Sequence, residues 1–250
     1  MDSINDLFLN MRDNHSNYNY EIFLEKLVLN NYRTCFFNEI HKHSDSAVIL
    51  RHDIDFDCTL AYKMALVESS MNIKSTYFFL ISSESYNIAS KENFDNIQRI
   101  KELGHAISVH FDPLVYDDFK KGCKLEVDYF ESLFDIEIDI ISIHRPNNFF
   151  LQNDKPVNGI DHTYQSKYVK DVKYFADSTG EWRFGHPFDS PEFNEKKNLH
   201  ILIHPVWWML TEDEISTDDK MKLYYKTRII QLKNHFLNNC TPFAKIYDQV

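Results

Sequence analysis

Four short stretches concentrate the groups that move protons and hold metals: Arg51-His52-Asp53-Ile54-Asp55, His110-Phe111-Asp112, His144-Arg145-Pro146 and His204-Pro205. Each closes an apolar segment. Carboxylates and imidazoles are the donors that divalent cations take, and imidazole also titrates near neutral pH. Asp53 and Asp55 are two residues apart, so on a continuing strand both side chains project to one side with Ile54 opposite. One of them can then hold a metal while the other accepts a proton. His144 and Arg145 adjoin and leave opposite sides of an extended chain, which makes one of the two structural. His204 precedes Val206-Trp207-Trp208, aromatic surface able to exclude water or stack on a sugar ring.

Plainer readings exist for each group. An Asp at a strand end commonly caps the next helix, and Asp55 and Asp57 both stand just before a helical pattern that starts near Leu60. A lone imidazole is more often a satisfied core residue, and two tryptophans are more often core than platform. Shared position separates the four stretches from the rest. His105, His162, His186 and His200 lack such company, and His15, His41, His43 and His235 read as surface residues.

The elements that would carry these groups alternate along the chain. A helical stripe over 18–30 and a short extended piece over 32–37 form a lead-in within residues 1–45. Ala47-Val48-Ile49-Leu50 is an apolar run opening into charge, the pattern of a buried parallel strand. Helix over 60–70, strand over 75–81, helix over 93–103 ending at Gly104, strand over 105–111 and helix over 117–133 follow. Strands over 136–144, 174–177 and 199–204 and a last helix over 213–238 complete the series. Residues 147–172 show little periodicity and are expected to form one long loop. Such β/α alternation makes a mostly parallel sheet or barrel, whose C-terminal strand ends converge on one face. The four polar stretches then share a pocket.

Composition narrows the function classes. A chain of 250 residues with 43% hydrophobic and 15% aromatic content builds a substantial core, expected here as a single domain over 1–250. A formal charge of -11 without a Lys/Arg cluster argues against nucleic acid and against anionic membrane surfaces. The four cysteines, Cys35, Cys58, Cys123 and Cys240, are scattered with no CxxC pair, which suits reduced thiols in a cytoplasm. The first residues lack a basic and an apolar leader region, and no apolar stretch reaches membrane-spanning length. A cytoplasmic location without a membrane span is therefore expected.

In this order the stretches resemble the polysaccharide deacetylase superfamily, in particular members whose first motif reads Arg-His-Asp-(Val/Ile)-Asp. The likeness runs over about residues 18–208 and includes Ser75-Thr76-Tyr77-Phe78-Phe79, Gly104 to His110, His144-Arg145-Pro146, Asp177 to Trp182 and Leu202-Ile203-His204-Pro205. It implies an α/β fold, a distorted (β/α) barrel of about seven strands forming one catalytic domain, and a divalent metal, usually Zn2+. The implied reaction is removal of an N-acyl group, usually acetyl, from an amino sugar. Residue by residue, it implies Asp53 as catalytic base, Arg145 as the arginine orienting it, His204 as general acid, His110 as a metal ligand, and Asp177 and Trp182 as the fourth-motif pair; with Trp207 these two are expected to contact substrate. Two positions depart from the pattern. The metal aspartate falls on Ile54, for which Asp55 is the natural replacement, and the second metal histidine falls on Leu114. His144 is the candidate third ligand, with Asp112 and His52 behind it. A cytoplasmic enzyme meets a nucleotide- or lipid-linked sugar during surface-polysaccharide assembly. The competing expectation is an inactive barrel that binds glycans or a protein partner.

Overall fold

The computed structural model describes residues 19–183, 185–211 and 215–247. Two compact units are present, one spanning Asn17–Met209 and the other containing the helices near the C-terminus. The first carries all the strands of the described residues. These are β1 (Arg33–Thr34), β2 (Ala47–Ile54), β3 (Thr76–Phe79), β4 (Ala106–Phe111), β5 (Ile140–Ile143), β6 (Asp161–His162), β7 (Lys173–Ala176) and β8 (Leu199–Ile203). Every pairing among them is parallel, in the order β6-β5-β4-β3-β2-β8-β7, with β1 set against β2. This is the expected α/β distorted barrel, and no β6–β7 pairing closes it among the described residues.

The helices of this unit are α1 (Tyr20–Leu29), α2 (Cys58–Ser70), α3 (Lys91–Glu102), α4 (Phe119–Phe134), α5 (Asn148–Gln152), α6 (Ser166–Val169), α7 (Pro191–Asn194) and α8 (Pro205–Met209). The second unit contains α9 (Thr217–Asn239) and α10 (Thr241–Ile246). The expected start of the last helix at Asp213 lies outside the described residues, as does His15. No helix among the described residues is long and apolar enough to cross a membrane.

Strand β2 is buried along all eight residues, as a parallel strand covered on both faces must be. It runs on through Arg51-His52-Asp53-Ile54, so the motif itself is strand. Alternation turns Arg51 and Asp53 into the barrel and His52 toward α2. Asp57 caps α2, accepting from the Thr59 and Leu60 N–H groups at 2.8 and 3.1 Å. That leaves Asp55 free of capping. Gly104, at φ +91°, ends α3 in a conformation that costs a side-chain-bearing residue energy.

The long loop expected over 147–172 is instead built of α5, β6 and α6. Its anchors are Phe150, Val157 and Tyr168, all buried. Spaced seven and eleven positions apart, they give no repeat that sequence periodicity registers. The two-residue β6 pairs Ile140↔Asp161 and Ile141↔His162, at the edge of the sheet.

Helix α4 contains one informative glycine. A Cβ at Gly122 would collide with the ring of Tyr116, which packs over the helix. Gly→Ala inside a helix ordinarily stabilises by roughly 0.5–1 kcal/mol. Here the sign should reverse: Gly122→Ala is expected to lower unfolding free energy by about 1–3 kcal/mol in urea titration, as overpacked sites do.

Candidate active site

Asp53, Asp55, His110, His144 and His204 line one cavity of about 270 Å³, together with Tyr164, Leu202 and Trp207. They come from the C-terminal ends of β2, β4, β5 and β8, so the four polar stretches do converge as expected from parallel architecture.

Its first component is a triangle of donor atoms. His110 Nε2 lies 3.0 Å from His144 Nδ1, and Asp55 Oδ1 lies 3.2 Å from each of those nitrogens. Asp55 Oδ1 is buried and accepts no well-formed hydrogen bond. Burial alone would raise the Asp55 carboxyl, but the imidazoles of His110 and His144 hold it far below the usual carboxylate range. Behind the triangle, Ser142 Oγ stands 2.5 Å from His110 Nδ1. With Nδ1 engaged by Ser142, Nε2 is the His110 nitrogen turned toward Asp55 and His144, and a ring so held is oriented as metal-binding imidazoles commonly are.

The triangle fits a small divalent ion. With zinc–ligand lengths of roughly 2.0–2.1 Å, a tetrahedron has edges of about 3.3–3.4 Å. The observed edges of 3.0 and 3.2 Å are close to that figure. Among the described residues, Asp55, His110 and His144, the residues expected to hold a metal, are a group whose donor atoms lie within 4.8 Å of one another. His52 and Asp112 do not join them.

Asp53 sits beside this group, 3.7 Å from His110 Nε2. Its counter-ion is Arg51, two residues earlier on the same strand. Arg51 Nε donates to Oδ1 at 2.9 Å and Nη2 to Oδ2 at 2.6 Å, a bidentate pair at 1% and 3% exposure. Burial opposes the charged form of Asp53, and Arg51, with His110 and His204, overcomes it and lowers the carboxyl. The Arg51 guanidinium also lies over the rings of Phe78 and Tyr164, at 5.9 and 5.8 Å.

Arg145 takes a different place from the one the motif order implies. Its Nε donates to Asp112 Oδ2 at 2.8 Å, Nη2 meets the same oxygen, and the side chain is 56% exposed. Arg51, not Arg145, is therefore the arginine paired with Asp53.

Asp177 also differs from expectation. It is fully buried, so it has no surface to offer a substrate. Its Oδ1 accepts from His204 Nδ1 at 2.6 Å, and both oxygens accept from the His204 N–H at 3.1 Å. Trp208 Nε1 donates to Oδ2 at 2.7 Å. This leaves His204 Nε2 toward the cavity, 3.9 Å from Asp55 Oδ2. Burial would lower the His204 imidazole, but Asp177 and the other carboxylates push it up to about 9.

Of the aromatic expectations, Trp207 lines the cavity and Trp182 does not. After β7 the chain turns at Thr179 and Gly180, both at positive φ, and carries Trp182 onto Phe23 of α1 at 5.9 Å and 13°. Sequence reasoning passed over Tyr164, which lay in the stretch read as loop, and Ser142, an ordinary strand serine.

No family model and no curated protein matches the sequence. Solved structures with a similar course are the peptidoglycan deacetylase PdaC from Bacillus subtilis, the chitin deacetylase from Colletotrichum lindemuthianum, and BA3943 from Bacillus anthracis, a CE4 family pseudoenzyme. PdaC is 13% identical, covering 74% of this chain and 84% of its own, with TM-score 0.42. The chitin deacetylase is 14% identical, covering 72% and 81%, with TM-score 0.40. BA3943 is 13% identical with TM-score 0.40; the match takes in 77% of this chain and 62% of BA3943, less than two thirds of that protein.

Two measurements follow from the electrostatics. Arg51→Met strands a buried carboxylate and is expected to lower unfolding free energy by about 3–5 kcal/mol, whereas Arg145→Met, at an exposed pair, should change it by less than about 1 kcal/mol. His204 is raised from 6.5 to about 9, so its contribution is fully present below the unfolded value and lost as pH rises through the folded one. In chelator-treated protein, unfolding free energy should fall from about pH 6.5 to 9, and His204→Gln should flatten that decline.

Proposed function

We propose that the chain is a metal-dependent hydrolase that removes an N-acyl group, acetyl by preference, from an amino sugar. The observation that carries this reading is the juxtaposition in one cavity of an ionised buried Asp53, a charged His204 facing it from another strand, and the Asp55–His110–His144 triangle between them.

Asp55, His110 and His144 would hold the metal. A divalent ion there, of which Zn2+ suits the donor set best, supplies Lewis acidity toward the amide carbonyl and lowers the pKa of water. The chain's own groups do the rest. Asp53, kept ionised by Arg51, takes a proton from the attacking water. His204, held by Asp177 with Nε2 toward the cavity, gives its proton to the departing amine nitrogen. A folded-state value of about 9 keeps it in the donating form at neutral pH. Trp207 and Tyr164 wall the cavity as aromatic surface for a sugar ring.

We assign the substrate to a nucleotide- or lipid-linked precursor of surface polysaccharide and the reaction to the cytoplasm. The acidic composition and the reduced, unpaired cysteines support this. The alternative of a binding module draws on Ile54 and Leu114, which stand where the family's motifs place metal ligands.

The full chain loaded with zinc should release acetate from N-acetylglucosamine oligosaccharides or UDP-N-acetylglucosamine. Asp53→Asn should lower kcat by roughly 10²–10⁴-fold while stoichiometric zinc stays bound, and His110→Ala should lose the zinc. Absence of zinc under metal-replete conditions would favour the binding module.

A further inference from the structure

On the face of β2 turned away from the cavity, a second polar cluster is completely buried. Its centre is Glu68 of α2, at 0% exposure. Oε1 accepts from Tyr20 Oη at 2.5 Å and stands 2.8 Å from His52 Nε2. Oε2 accepts from Ser75 Oγ and Tyr77 Oη, both at 2.6 Å. His105 Nδ1 is 3.5 Å away and also 2.9 Å from Ser75 Oγ. These donors come from α1, β2, β3 and the approaches to β3 and β4.

We propose that Glu68 and His52 form a positioning pair that fixes the base on β2 relative to the acid after β8. This rests on the reading of Asp53 and His204 as base and acid. His52 lies between Arg51 and Asp53, and its other nitrogen, Nδ1, meets the Ile203 carbonyl at 3.3 Å. Ile203 is the register partner of His52 and directly precedes His204. One imidazole thus links the carboxylate of α2, the strand of the base and the strand of the acid.

Stability gives a poor account of this cluster. Helix α2 already buries Leu60, Ala61, Met64 and Ala65. A buried charged group is often replaceable by apolar residues without loss, so its presence is weak evidence for a stabilising role. What directional bonds add in a low-dielectric interior is resistance to small slides, which apolar contacts tolerate. Reacting groups misplaced by about 1 Å can lose 10²-fold in rate. Both oxygens of Glu68 carry donors, and although burial opposes ionisation, His52 and His105 with Ser75 lower the group to about 2.

Glu68→Gln keeps the shape and removes the charge; His52→Gln is the milder second variant should the first fold poorly. Both are made in the full chain, with acetate release from N-acetylglucosamine oligosaccharides as one readout. Expected are a fall in kcat of at least about tenfold, KM within about twofold, and unchanged zinc affinity, since the triangle lies on the other face. The second readout is hydrogen exchange, which needs no turnover. Amides of 52–55 and 202–204 should exchange at least about tenfold faster, with those of 140–143 unchanged. Exchange at 52–55 and 202–204 that stays at the wild-type rate, with only a lowered Tm, overturns the proposal. A wild type that releases no acetate overturns the hydrolase reading instead, and exchange still decides the positioning role.

Discussion

A carboxylate at the end of a fully buried strand is a costly object, and the arrangement around Asp53 is organised to keep it charged. Arg51 does this from the same strand, two residues back, with both oxygens engaged. The guanidinium is itself buried, so it must be flanked by groups that tolerate a cation, and Phe78 and Tyr164 present ring faces to it. Placing the cation inside the barrel leaves the rim of the cavity free for imidazoles. It also releases Arg145, which instead ties Asp112 at the outer end of β4.

Much of this was legible in the sequence because parallel strands deliver their C-terminal residues to one place. The apolar run before Arg51 and its counterparts before His110 and His204 marked strands, and the polar groups that closed them met in one cavity. Side-chain pairing was less legible. Motif order assigned the base's arginine to position 145, while the alternation of β2 puts Arg51 beside Asp53, a relation that needs only period two. Asp177 read as a substrate contact because the chain distance to His204 hides that the two stand on neighbouring strands.

Other features left almost no trace in sequence. Phe150, Val157 and Tyr168 anchor a stretch whose helices and strand are each five residues or shorter, below the length at which periodicity registers. Glu68 looks like one more acidic residue on a helix. Only the fold brings Tyr20, His52, Ser75 and Tyr77 to its two oxygens, from three other elements and a connecting turn.

The Asp55–His110–His144 triangle has a dimension as well as a chemistry. Edges of 3.0 and 3.2 Å bring two nitrogens and one oxygen close enough for a single cation to touch all three. Calcium takes six to eight oxygens at about 2.3–2.6 Å, and two of these three donors are nitrogens, which it does not favour. The corner that holds two imidazoles to one carboxylate would therefore discriminate among ions by donor chemistry rather than by size.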